Sequence, residues 1–136
     1  MFDDLDQIDW AGLGVEQAPQ WIKGLASGNS SVRNQSFDAL RDSGIYERPS
    51  FAIFVVPYVL LILENNDVNP ETEVLLEFLR ALRQYARGFV GQNLAVESSK
   101  KIIADIDNSM DVFRRLSENP LTRDAALELI SEIENK

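Results

Sequence analysis

Leu25-Ala-Ser-Gly-Asn-Ser-Ser-Val-Arg-Asn-Gln-Ser-Phe-Asp-Ala-Leu40 reads as the end of one helix, a tight polar turn and a second helix folded back on the first. Gly28 is the expected helix stop, and Asn29 or a serine at 30 or 31 the expected cap of the next helix. A link of about four residues cannot reach far, so the two helices must lie antiparallel. The same grammar returns as Leu116-Ser-Glu-Asn-Pro-Leu-Thr-Arg-Asp-Ala-Ala-Leu-Glu-Leu-Ile130. A looser version stands between them as Leu63-Glu-Asn-Asn-Asp-Val-Asn-Pro-Glu-Thr-Glu-Val-Leu-Leu76. The chain therefore reads as all-α, built from about three helical hairpins.

Working outward, helices are expected over 17–26 and 31–43, with Trp21, Ile22 and Leu25 on the first stripe and Gly44 ending the second. The apolar run Phe51 to Leu63 should be the most buried element, split by Pro57 into pieces over about 49–56 and 57–64. Pro70 opens a helix capped by Asn69 and stopped by Gly88, with Val74, Leu75, Phe78, Leu79, Leu82 and Tyr85 or Ala86 facing inward. Arg83 and Arg87 then suit the negative end of the macrodipole. Residues 89–93 read as a linker, followed by one long helix over 94–117 and a last one over 121–134. Asp111 has the spacing to pair with Arg114 and Arg115. No alternating segment suggests a strand. Residues 1–15 form an arm, a frayed helix or an extended piece laid over the first hairpin, and Trp10 is too large to stay in water. Residues 16–136 form a single domain.

Composition narrows the chemistry. The chain has no cysteine and no histidine among its 136 residues, which removes disulfides, thiolate nucleophiles, zinc–thiolate sites and the commonest general base. A net charge of −9 repels phosphate backbones, and the basic pairs Lys100-Lys101 and Arg114-Arg115 each neighbour aspartates. No nucleic-acid partner is expected. The uncharged segment Pro49 to Leu63 falls short of the about 18–20 residues of a membrane span. The acidic start Met1-Phe-Asp-Asp lacks the pattern of an export signal, so the expected location is cytoplasmic.

Leu25-x-Ser-Gly-Asn29-x-x-x-Arg33-x-x-x-Phe37-x-Ala39-Leu40 resembles the turn and second helix of a HEAT-type, armadillo-like repeat, as does Leu116-x-x-Asn119-x-x-x-Arg123-x-x-x-Leu127-x-Leu129-Ile130. In both, an Asn precedes an Arg by four residues, and the two arginines lie about two repeat lengths apart for units of about 40–47 residues. Val56-Pro57-Tyr58-Val59-Leu60-x-x-Leu63 is similar to the proline-kinked first helix of such a unit. In the middle unit Thr72 or Glu73 stands where the Arg should be, interrupting any Asn–Arg ladder. The resemblance covers residues 16–134 and implies a right-handed α–α superhelix of about three HEAT-like hairpins. It implies an interaction scaffold, or a regulatory partner such as a bacterial immunity protein neutralising a cognate toxin. It also implies a concave face lined by helices 31–43, 70–87 and 121–134.

Outward positions on those helices are Asn34, Asp38, Arg41, Glu77, Arg80, Gln84, Asp124 and Glu128, the candidate partner-binding residues. Asn29, Arg33, Asn119 and Arg123 are read as structural repeat residues, each Arg stapling turn carbonyls or the Asn of its own hairpin. Tyr46, Phe51, Phe54 and Phe89 gather near connectors and form a second candidate surface, which a symmetric homodimer would bury. No catalytic residue, cofactor or metal site is expected. Asp105-Ile-Asp107-Asn-Ser109-Met-Asp111 lacks the sixth-position Gly and twelfth-position Glu of a calcium loop, and the helical period runs through it. The rival reading is a carboxylate-lined small-ligand binder or enzyme with a pocket between hairpins.

Overall fold

The computed structural model describes residues 2–135; the ends of the expected arm and domain, Met1 and Lys136, lie outside them. Among the described residues the regular structure is all helical: α1 (Ala18–Leu25), α2 (Ser30–Asp42), α3 (Pro49–Asn65), α4 (Thr72–Gly91), α5 (Val96–Asp107), α6 (Met110–Leu116) and α7 (Arg123–Glu134). Two short 3₁₀ turns, Leu5–Gln7 and Ile45–Glu47, complete the order.

Helix α3 is the centre. Phe51, Ala52, Val55, Val56, Val59, Ile62 and Leu63 are all buried, against α1, α4 and α5. Pro57 does not split it, contrary to expectation; the helix runs unbroken from Pro49 to Asn65. Pro57 removes one donor from the ladder, a cost of about 3 kcal/mol, while the buried side chains on both sides of it keep the two halves in one helix.

The first hairpin closes as read. Asn29 Oδ1 accepts the Val32 amide at 3.1 Å, capping α2, and Gly44 takes a left-handed φ of 79° after it. Gly28, however, is not a left-handed stop. The glycine that matters is Gly24, where a Cβ would sit 1.8 Å from Ser36 Oγ, so α1 and α2 touch there backbone to side chain.

Helix boundaries elsewhere shift for local reasons. At Asn69 and Asn119 the side-chain oxygen accepts the amide two residues on, Glu71 and Leu121, each at 2.9 Å. Both form an Asn-Pro-x-Thr turn, so α4 begins at Thr72 and α7 at Arg123, after rather than at the proline. Gly88 does not end α4. An interior glycine costs only about 1 kcal/mol, and the half-buried Phe89 and Val90 beyond it carry the helix to Gly91. The chain then turns through Asn93 (φ 58°) and Ala95 (φ 45°). The expected helix over 94–117 is two helices. Ser109 Oγ donates to the Asp105 carbonyl at 3.0 Å, the local competition that makes Asn and Ser poor helix interiors.

Pairing departs from three equal hairpins. Helix α4 packs broadly on α5 and only narrowly on α3, while α5 also lies along α3, and α7 lies on both α6 and α4. Helices α2 and α4 meet through an edge-to-face Phe37–Phe78 contact at 5.4 Å. The arm packs against α3 and the residue before it. Trp10 is buried, its Nε1 donates to the Leu5 carbonyl at 2.8 Å, and its ring meets Phe51 and Phe54 edge-on. Tyr58 donates to Asp4 Oδ1 at 2.8 Å, and Arg48 donates to the Leu13 carbonyl. No helix among the described residues is long and apolar enough to cross a membrane.

Candidate functional site

The residues singled out from the sequence lie on α2, α4 and α7, and much of their charge is spent internally. Arg80 on α4 reaches α7 twice, with Nη1 2.9 Å from Glu128 Oε2 and Nε 2.7 Å from Glu132 Oε1. Gln84, one turn on, donates from Nε2 to the same Glu132 oxygen at 2.7 Å. The hydrogen bond from Arg80 to Glu132 pushes the guanidinium pKa up; partial burial opposes it, and the charges of Glu132, Glu128 and Glu77 add to it. Arg80, Gln84 and Glu128 thus form one cross-helix cluster. Glu77 and Asp124 are exposed.

At the other end, Asp38 and Arg41 pair within α2 at 3.1 Å, and Arg41 also reaches Asp42 at 3.7 Å and lies over the Phe37 ring. Asn34 donates to Glu71 Oε1 at 3.5 Å. Glu71, a residue the sequence reading passed over, is the hub of that corner. It also accepts from Ser30 Oγ and pairs with Arg33 Nη2 at 3.3 Å. Arg33 in turn donates from Nη1 to the Ser27 carbonyl at 2.8 Å, and Arg123 donates from Nε to the Ser117 carbonyl at 3.3 Å. Each arginine therefore holds the carbonyl six residues before it, at the end of the preceding helix or just beyond. Glu71, just before α4, thus ties the start of that helix to the arginine of the first hairpin.

Beyond the cross-helix cluster, toward the C-terminal end of α4, lies an open cleft of about 410 Å³, lined by Glu47, Gln84, Tyr85, Gly88, Phe89 and Gln92. Of the two residues offered for the end of the inward stripe, Ala86 is buried and Tyr85 is 45% exposed here. Its ring stacks on Tyr46 at 5.4 Å with 19° between planes. Tyr46 is wedged also against Phe78 at 5.7 Å. Burial pushes the Tyr46 hydroxyl pKa up; Arg41 pulls against that, and Tyr85 and Glu47 add to it. Glu47 is exposed, and its carboxylate holds no hydrogen bond or ion pair among the described residues.

The expected aromatic surface is not one surface. Phe51 is buried under Trp10 and Phe54 lies beside it at 39% exposure, while Tyr46 and Phe89 belong to the α4 side. The ion pairs expected of Asp111 also differ. Arg114 stands 3.9 Å from Asp111, whereas Arg115 donates to the Leu63 and Glu64 carbonyls at the end of α3. Arg83, placed from the sequence at the dipole end of its helix, is instead 2% exposed, with Nε 2.7 Å from Asp107 Oδ1. Two signals in the chain point to part of this. Asn-Pro-x-Thr recurs at 69–72 and 119–122, marking equivalent turns, and Tyr85-Gly88-Phe89 share one helix face with Gln84 and Gln92. Nothing local marks Arg83 or Glu71 for burial.

Among the described residues no group of three or more acidic side chains is placed to hold a metal ion. Comparison with protein-family models, with curated proteins and with solved structures returns no match.

Proposed function

We propose that this chain is a non-enzymatic protein-binding module, a superhelix of HEAT-like hairpins whose α2–α4–α7 face receives a partner. The observation that carries the reading is the Tyr85 cleft. A large aromatic ring, stacked on a second ring and left 45% exposed beside an open groove, is the kind of rigid amphipathic anchor that dominates protein interfaces. The surrounding face is held stiff by the Arg80–Glu128–Glu132–Gln84 cluster, so a partner meets a preformed surface and loses little entropy in ordering it. The matched Arg33–Ser27 and Arg123–Ser117 contacts favour the repeat reading of the first and last hairpins. The open shape of the cleft suits an extended contact better than an enclosed small-molecule site.

Site-specific photocrosslinking tests the reading. A benzophenone amino acid at Gln92, on the cleft rim, should give a discrete crosslinked species in cells that Tyr85→Ala removes. The same probe at the exposed Lys100 on α5 should give none. Equal labelling from both positions, or a Gln92 product indifferent to Tyr85→Ala, would refute a partner seated on this face.

A further inference from the structure

Resting on that protein-binding reading, we propose that the Tyr85 cleft seats a lysine or arginine side chain presented by the partner. Three features of the cleft converge on a cation. Its one charged lining residue is the Glu47 carboxylate, which has no ion-pair partner among the described residues. Its walls include the rings of Tyr85 and Phe89, and an aromatic face carries the negative part of the ring quadrupole. Its remaining lining side chains are two amides, and Gln84 commits its nitrogen to Glu132 at 2.7 Å, which leaves its oxygen as an acceptor.

The geometry gives such a side chain somewhere to lie. Apart from its own helix backbone and chain neighbours, nothing stands within 4 Å of the place a Cβ would occupy at Gly88, so the aliphatic stem of Lys or Arg can rest on bare helix backbone between Tyr85 and Phe89. Tyr46, stacked 5.4 Å behind Tyr85, fixes the ring against which the stem and head group pack. Local competition from the protein's own cations is low. Arg41 is held by Asp38 and Asp42, and Arg80 by Glu128 and Glu132.

Charge argues the same way at longer range. A chain of net charge −9 steers a basic segment toward itself and an acidic one away. An anionic or apolar occupant would instead bring its surface against Glu47 with nothing to neutralise that carboxylate as water leaves. A cleft open to solvent covers only part of a small free cation. A side chain carried on a protein segment adds contacts along the neighbouring face of α4 and α7, so the occupant is a basic protein segment rather than a free metabolite.

Amide-resolved NMR titration of the full chain tests this with defined probes. The acetylated and amidated pentapeptide Ala-Ala-Arg-Ala-Ala should shift the amides of Tyr85, Gly88, Phe89 and Gln92. Its counterpart carrying citrulline, neutral but nearly the same shape, should bind at least about fivefold more weakly, and the glutamate counterpart should shift nothing. Glu47→Gln and Tyr85→Ala should each cost roughly 3- to 10-fold, within the range of an ion pair or cation–π contact near a surface. Both positions are exposed, so neither change threatens the fold. N-methylguanidinium alone should bind more weakly than the arginine peptide. Equal binding of the arginine and citrulline peptides, indifference to Glu47→Gln, or methylguanidinium binding as tight as the peptide would overturn the proposal. If basic peptides shift none of these amides while the Gln92 crosslink persists and still needs Tyr85, the cation inference falls and the protein-binding reading stands.

Discussion

Replacing Asp107 by Asn should destabilise this protein more than its partial exposure suggests, because of what it leaves behind. Arg83 is 2% exposed, and its guanidinium meets Asp107 edge-on, Nε to Oδ1 at 2.7 Å and Nη2 to Oδ2 at 3.4 Å. Its Nη1 is buried with no hydrogen-bond partner, so the arginine relies on Asp107 for charge compensation. Removing one member of a buried pair costs about 3–5 kcal/mol, because the remaining charge stays out of water. The two sides are not equal. The Asp107 side chain is 13% exposed against 2% for Arg83, so water can still reach the carboxylate when the arginine is removed. Arg83→Met keeps most of the apolar stem and removes the unpartnered Nη1, and it should cost only about 1–2 kcal/mol. The double change Arg83→Met with Asp107→Leu should return to within about 1 kcal/mol of the parent, since hydrophobic replacement of a buried pair is often neutral or better. Urea unfolding followed by far-ultraviolet circular dichroism reads this directly. With a slope of about 2 kcal/mol per molar, Asp107→Asn should lower the midpoint by roughly 1.5–2.5 M. Raising salt to 1 M should change its deficit little, because buried charges are poorly screened. A loss under about 1 kcal/mol for Asp107→Asn, or a double variant as unstable as Asp107→Asn, would refute the account of Arg83 as a buried charge dependent on one carboxylate.

Gly24→Ala should cost about 1–3 kcal/mol by overpacking despite alanine's better helix propensity, because the new Cβ meets Ser36 Oγ at 1.8 Å and Ser36 Cβ at 2.8 Å; adding Ser36→Ala should recover part of the loss in the same urea assay. Trp10→Ala should cost about 3–5 kcal/mol as a buried large-to-small change, whereas Trp10→Phe, losing the Nε1 bond to Leu5 but keeping a ring on Phe51, should cost about 1–2 kcal/mol; thermal unfolding separates the two. Burial first, then its hydrogen bond to Asp4, pushes the Tyr58 hydroxyl pKa up to about 12 from 10.0. The folded state therefore keeps that proton where the unfolded state has lost it. Stability from this group is complete below pH 10 and lost between about pH 10 and 12, by roughly 1–2 kcal/mol. Urea midpoints from pH 9 to 11 should fall less steeply for Tyr58→Phe than for the parent, and equal slopes would refute the assignment.

Helix type, approximate number and the most buried segment were legible in the residue order, as were the cap at Asn29 and the stop at Gly44. Asn29, Gly44 and the apolar run around Val55 to Ile62 act through neighbours within a turn or two, and those neighbours are written beside them. Trp10 was equally legible, because so large an apolar side chain has no low-energy place in water. Elements whose state depends on distant partners were not. Helix α4 passes Gly88 because Phe89 and Val90 find cover; the chain breaks at Asn108–Ser109 where Ile106 and Phe113 both turn inward; Pro57 is carried by burial on either side. Of the expected binding residues, Arg80, Gln84 and Glu128 sat correctly on the outer faces of their helices. Only the approach of α7 to α4 turned them into an internal cluster, while Tyr85 and Glu47 stayed open beside it.

Period and capping are local: they select a helix and its stripe from interactions spanning about four residues. Burial is not local. Whether an arginine such as Arg83 ends in water or under a neighbouring helix, and whether a glutamate such as Glu71 meets Arg33, is decided by residues 24 and 38 positions away in the chain. Those groups come together only when the apolar stripes have chosen their partners, so the order of residues specified the helices and the packing specified the face.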